Sequence, residues 1–200
     1  MSDPTVKDIK KDLFLMMHKA EQMLELAEDA FMKNKVASLD QAAEILREIQ
    51  KKEDALTESL AKLSPSNAEA RAILAVPAHM EKIGTSVERI LNTIHTKIKE
   101  GLLFSDRAIQ ETAQLLTKSK EVLKKAGDAM VTGNAASSDQ IRKESDVIID
   151  MANKFSTSHE ERLVAGECSP KTSSAYLCML YAFDDIASHT KDALKKMASK

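Results

Sequence analysis

The sequence predicts an all-α protein of six long helices, arranged as two repeated antiparallel three-helix bundles. Three observations point there. Five Gly and four Pro in 200 residues leave few helix breakers, and 4% aromatics leave few strand formers. Apolar residues recur at spacings of three and four over stretches of roughly 25–30 residues. The succession of caps, seams and breaks also occurs twice along the chain.

The first helix carries Ile9, Leu13, Met16, Ala20, Met23, Ala27 and Ala30 on one stripe, with Met17, Leu24 and Phe31 as a parallel seam. Lys19, Glu21, Glu25 and Glu28 fill the opposite face, and Asn34 ends the helix in a left-handed conformation. Ser38 to Gln41 reads as a capping box for a second helix, whose apolar face is Ala42, Ile45, Leu46, Ile49, Leu56, Leu60 and Leu63. Ser64-Pro65-Ser66 breaks it. A third helix runs from about Ala68 toward Lys99 and stops at Gly101, with a kink expected at Pro77.

Ser105-Asp106 then caps a fourth helix bearing Ile109, Ala113, Leu116, Val122, Leu123 and Ala126, closed by Gly133-Asn134. Ser137 to Gln140 is expected to cap a fifth, with Ile141, Val147, Ile148, Met151 and Phe155. Gly166 to Pro170 is a break, and a sixth helix follows from about Lys171 to the end. The stretch Ala27–Gln41 aligns with Ala126–Gln140 at an offset of 99, with identity at Ala27, Asp29, Ala30, Ala37, Ser38, Asp40 and Gln41. Met80–Thr85 aligns with Phe183–Ser188 at an offset of 103. An offset near half the length predicts one three-helix repeat over 1–101 and a second over 102–200.

With 29 basic and 31 acidic residues the net charge is −2, which excludes nucleic-acid binding by bulk electrostatics. No apolar run approaches the roughly 20 residues of a membrane span, and the N-terminus lacks a signal-peptide pattern. Cys168 and Cys178 read as ordinary thiols. The expected compartment is the cytoplasm. No glycine-rich phosphate loop, nucleophile elbow, zinc-protease motif or Glu-x-x-His pair occurs, so no enzymatic activity and no catalytic residues are expected. Met16, Met23 and Met130 are read as core filling. Tyr176, Met179, Leu180 and Phe183 lie in a segment apolar on nearly every side, predicted to form a homodimer contact or a transporter contact.

The third-helix segments, His79 to Val87 and Ala182 to Thr190, resemble those of PhoU-like proteins. Ala20 to Ala30 on the first helix and Arg71 to Ala75 at the entry to the third are similar as well. The resemblance implies regulation of phosphate transport or phosphate signalling. The partner would be a phosphate transporter's cytoplasmic side or its signalling kinase, with membrane contact only through that partner. It also implies iron or zinc clusters, each held by a Glu/Asp-x-x-x-Asp pair on a third helix. Carried over, those pairs fall on Glu81 with Thr85 and on Asp184 with Ser188, followed by His189. The second carboxylate of each pair is thus a hydroxyl, a poor ligand for either metal.

Asp185 and His189 stand i, i+4 on the sixth helix, a spacing at which two side chains can converge on one ion, and Glu144 is a candidate third ligand across the bundle. The same pair also reads as a hydrogen-bonded surface pair without metal. His79 and Glu81 are two apart and do not face each other, and His18 and His95 have no partner at chelating spacing. The alternative to the phosphate role is a generic helical adaptor acting through its long faces.

Overall fold

The structure, a computed structural model, describes residues 4–198. Met1 to Asp3, where no signal-peptide pattern was read, and Ser199 and Lys200, the end of the last predicted helix, lie outside the described residues. The chain forms α1 (Val6–Lys33), α2 (Ala37–Leu63), the single turn α3 (Ala68–Ala72), α4 (Val76–Glu100), α5 (Asp106–Thr132), α6 (Ala135–Val164) and α7 (Pro170–Ala198).

Local chemistry fixes most boundaries. Thr5 caps α1 reciprocally with Asp8, and Asn34 leaves that helix at φ 54°. Ser105 accepts from the Ala108 N–H at the start of α5. Gly101 and Gly133 end α4 and α5 at φ 62° and 64°, a region a Cβ penalises.

Three boundaries differ from expectation. Ser38 does not cap α2; it lies inside the helix, and its hydroxyl donates to Asp29 of α1 at 3.1 Å. Asn34 has already turned the chain, so the backbone re-enters a helix at Ala37 without a side-chain cap. The cap of α6 is Asn134 rather than Ser137, because Asn134 accepts from the Ser137 N–H and the helix begins at once. Pro77 does not kink a continuous helix. The chain breaks over 73–75 and restarts with Pro77 in the first turn of α4, where the missing N–H has no intrahelical acceptor to lose.

Helices α1, α2 and α4 pack on one another, as do α5, α6 and α7; α1 also packs on α5, and α4 on α7. Helices α1 and α2 run antiparallel, as do α4 and α7, whereas α1 runs parallel to α4, whose Lys97 donates to Asn34 at the end of α1. Lys19 pairs with Glu48 while Lys52 pairs with Asp12. His79 faces His189 while Glu100 faces Lys171. Every apolar position predicted for the seams of α1 is buried. The expected core methionines Met16, Met23 and Met130 are buried too. Val147, assigned to the apolar face of α6, instead points to solvent at 47% exposure, while its neighbour Ile148 fills the core. Among the described residues no helix is long and apolar enough to cross a membrane.

Tyr176, Met179, Leu180 and Phe183 are fully buried within the chain's own core. The expectation that they meet another protein is therefore corrected. The four lie on the face of α7 that packs against α4, α5 and α6, while Tyr181 on the outer face of the same segment is 51% exposed.

Candidate functional site

The seam where α4 crosses α7 gathers a cluster of polar side chains, His79, His189 and Asp192. Both helices are amphipathic, and their apolar stripes bury Met80, Ile83 and Val87 against Phe183, Ile186 and Ala187. The antiparallel register then places residues near position 80 beside residues near 190. His79 Nδ1 lies 3.4 Å from His189 Nδ1, and the rings tilt by 48° with centroids 5.5 Å apart. Asp192, one helical turn beyond His189, completes a group whose ligand atoms all lie within 4.8 Å of one another. It is the only group of three or more such side chains among the described residues.

Both imidazoles are half-buried, and both titrate below the ordinary imidazole value. Burial is the largest cause for each. For His79 the neighbouring His189 follows, with Lys82 and Lys196 acting in the same direction and Asp192 opposing. For His189 the next contribution is Lys82, with Arg89 in the same direction and Asp185 and Asp192 opposing. The rings therefore meet as neutral imidazoles near neutrality, with lone pairs free to bind.

The predicted ligands have other occupations. Glu81 accepts a hydrogen bond from the Thr85 hydroxyl at 2.9 Å, and Asp184 accepts one from the Ser188 hydroxyl at 3.2 Å. Asp184 also accepts from Asn153 of α6 at 3.4 Å. The two repeats thus make the same carboxylate–hydroxyl pair one turn along the helix. The hydroxyl stands where the resemblance calls for a second carboxylate, and this donor set does not fit an iron or zinc cluster.

Asp185 does not converge with His189 on a common point; it forms an ion pair with Arg89 of α4. Glu144 pairs with Lys125 of α5 at 2.8 Å, which holds its carboxyl below the ordinary range. The register puts Asp146, bound to Lys191, nearer the level of His189. His18 bonds to Glu21 on its own helix surface. Of the predicted metal residues, Glu81, Asp184, Asp185 and His189, only His189 belongs to the converging group.

His79 and Asp192 escaped sequence reasoning for different reasons. His79 was weighed only against neighbours on its own helix, and its partner stands 110 positions away. Asp192 offers a signal that sequence alone contains, since it is i+3 from His189.

A second polar cluster lies deep between α5, α6 and α7. The Tyr176 hydroxyl donates to Glu111 at 2.5 Å, Arg107 donates to the same carboxylate at 2.9 Å, and Arg162 approaches it at 3.5 Å. Burial, then the Glu111 hydrogen bond, push the Tyr176 phenol well above its ordinary range. A groove of about 660 Å³ between α5 and α6 is lined by Lys125, Asp128, Gln140 and Glu144 and lies apart from the histidine pair.

The architecture matches solved structures over nearly its full length. PhoU from Pseudomonas aeruginosa superposes with a TM-score of 0.86 at 14% identity, covering 96% of this chain and 94% of that one. The phosphate transport system regulatory protein PhoU from Streptococcus pneumoniae superposes with a TM-score of 0.83 at 13% identity, covering 95% of this chain and 91% of that one. No family model matches the sequence, and no curated protein matches it. At these identities the likeness establishes a common fold: the all-α architecture read from the sequence is that of PhoU.

Proposed function

We propose that this chain regulates phosphate transport or phosphate signalling by protein–protein contact at the cytoplasmic side of a transporter. The observation that supports it is the correspondence with PhoU structures over more than nine-tenths of the chain. It joins the sequence resemblance on α1 and on both third helices of the repeats. Fold alone is weak warrant for function; the sequence resemblance points in the same direction. The reading includes two further parts. The segments 1–101 and 102–200 act as two copies of one three-helix unit. The partner docks on outward faces of the helices, as Tyr176, Met179, Leu180 and Phe183 are buried in the chain's own core.

The test is transport in the organism that carries the chain. Deleting it should raise uptake of radiolabelled phosphate several-fold in phosphate-replete cells, with sulfate uptake unchanged, and restoring the wild-type chain should reverse the effect. Phosphate uptake equal to wild type under both replete and starved conditions would reject the proposal and leave a helical adaptor of another pathway.

A further inference from the structure

We propose that His79, His189 and Asp192 form a zinc site that joins α4 to α7, and so joins the two three-helix units. The site differs from the family-type pairs. Of its residues only His189 borders them, and the carboxylates of Glu81 and Asp184 are engaged with Thr85 and Ser188.

The geometry suits one ion. Two nitrogens bound at about 2.05 Å to a tetrahedral centre stand about 3.3 Å apart, whereas cis positions of an octahedron would bring them to about 2.9 Å. The Nδ1 atoms of His79 and His189 stand 3.4 Å apart, matching the tetrahedral span. Their rings are tilted rather than stacked, which leaves both lone pairs room to aim at a common point. Asp192 is exposed, and its carboxylate lies within 4.8 Å of the nitrogens. A rotation about its side chain closes the remaining distance without disturbing the packed core.

The donor chemistry agrees. Two imidazoles and a carboxylate suit Zn²⁺, while Mg²⁺ and Ca²⁺ favour all-oxygen shells. Three protein ligands leave a fourth position, here on the solvent side with Asp192, for water or an anion. The nearby cations oppose a metal ion, but Arg89 is already engaged by Asp185. Lys82 and Lys196 are long side chains free to swing outward. Each helix contributes at least one ligand, so binding adds a cross-link between α4 and α7 that the apolar seam alone does not provide.

The experiment is metal analysis of the untagged full chain, stripped with chelator and titrated with Zn²⁺ by calorimetry, then with Co²⁺ followed by its visible spectrum. One Zn²⁺ per chain and the intense bands of tetrahedral Co²⁺ are expected. His79→Ala and His189→Ala should each abolish stoichiometric binding. Asp192→Asn, at an exposed position that does not threaten folding, should weaken it by about 10–100-fold or more. Asp185→Asn should leave it unchanged. A folded wild-type chain that takes up no Zn²⁺ at micromolar concentration would overturn the proposal. So would binding that survives His79→Ala, or that is lost instead with Glu81→Gln or Asp184→Asn. None of these readouts depends on phosphate transport, so this site and the regulatory role stand or fall separately.

Discussion

The Tyr176 hydroxyl donates to the Glu111 carboxylate at 2.5 Å across 65 residues of sequence, tying α7 to α5 inside the second unit. Glu111 is buried, and the anion is tolerable there because Tyr176, Arg107 and Arg162 all turn toward it. Removing the carboxylate would leave Arg162, whose Nε and one terminal nitrogen already lack partners, as an uncompensated buried charge. Glu111→Ala should therefore destabilise by about 3–5 kcal/mol. Tyr176→Phe removes one hydrogen bond to a charged group and should cost about 1.5–3 kcal/mol. Urea unfolding of the two variants measures the order, and equal losses would show that the arginines do not depend on Glu111.

His159 supplies a pH dependence. It is 3% exposed and packs on the Tyr176 ring at 4.8 Å between centroids. Burial is the largest cause lowering its pKa from the ordinary 6.5, Arg162 adds to it, and Glu111 and Glu160 oppose. The folded state thus favours the neutral ring. Above about pH 6.5 this residue is neutral folded or unfolded and contributes no pH dependence. As pH falls from there toward the lower folded-state value, the unfolded chain takes the proton first and stability declines. Denaturant unfolding between about pH 7 and pH 5 should show the decline, and His159→Gln should flatten part of it. His79 and His189 shift in the same direction and contribute in the same sense. An unchanged slope in the variant would contradict the assignment.

What the sequence disclosed follows from range. The seams of α1 and the caps at Asn34, Gly101, Ser105 and Gly133 depend on neighbours within about one turn, so periodicity and residue type reveal them. Ser38 looked like a cap because its local spacing is that of a capping box. Its actual partner, Asp29, belongs to the preceding helix. The site depends on which turn of α4 lies opposite which turn of α7. That register is set by side-chain interdigitation along the whole seam, not by any local pattern. The carboxylates read as ligands stand on the third helices, Glu81 and Asp184 each with its hydroxyl partner one turn away in the sequence, but the pairing of Asp185 with Arg89 joins residues 96 positions apart and could be found only in three dimensions.

Gly84 of α4 faces Leu46 and Ile49 of α2. A Cβ there would lie 2.9 Å from Leu46 Cδ1 and 3.6 Å from Ile49 Cγ2. The equivalent position in the second repeat is Ala187, so a methyl group is acceptable to the plan of the fold. Gly84→Ala should gain about 1 kcal/mol of helix propensity and lose a similar amount moving the Leu46 terminal methyl, leaving stability within about 1 kcal/mol of wild type. Gly84→Leu cannot be absorbed by one methyl and should cost about 1–3 kcal/mol or more. Thermal unfolding of both variants decides the matter. A neutral Gly84→Leu would mean that the α2–α4 contact is looser than described.

The paired hydroxyls make a final prediction about metal. Thr85 donates to Glu81, and Ser188 donates to Asp184, so each repeat has one carboxylate satisfied by a neutral neighbour one turn away. The double substitution Thr85→Asp, Ser188→Asp would restore the carboxylate pairs that the resemblance calls for. Without metal it replaces two hydrogen bonds by two like-charge pairs at i, i+4. The combined cost should be about 1–3 kcal/mol, from about 1 kcal/mol per lost hydrogen bond and a few tenths per repulsive pair. With Fe²⁺ or Zn²⁺ present the paired carboxylates become ligands, and the lost stability should return as metal is added, beyond the gain that the wild-type chain shows with the same metal. Unfolding followed with chelator and then with each metal measures both halves. If the double variant is destabilised but recovers nothing on adding metal, the surroundings of α4 and α7, including Arg89 and Asn153, no longer accommodate the ions, and the hydroxyls are not the sole departure from the family plan.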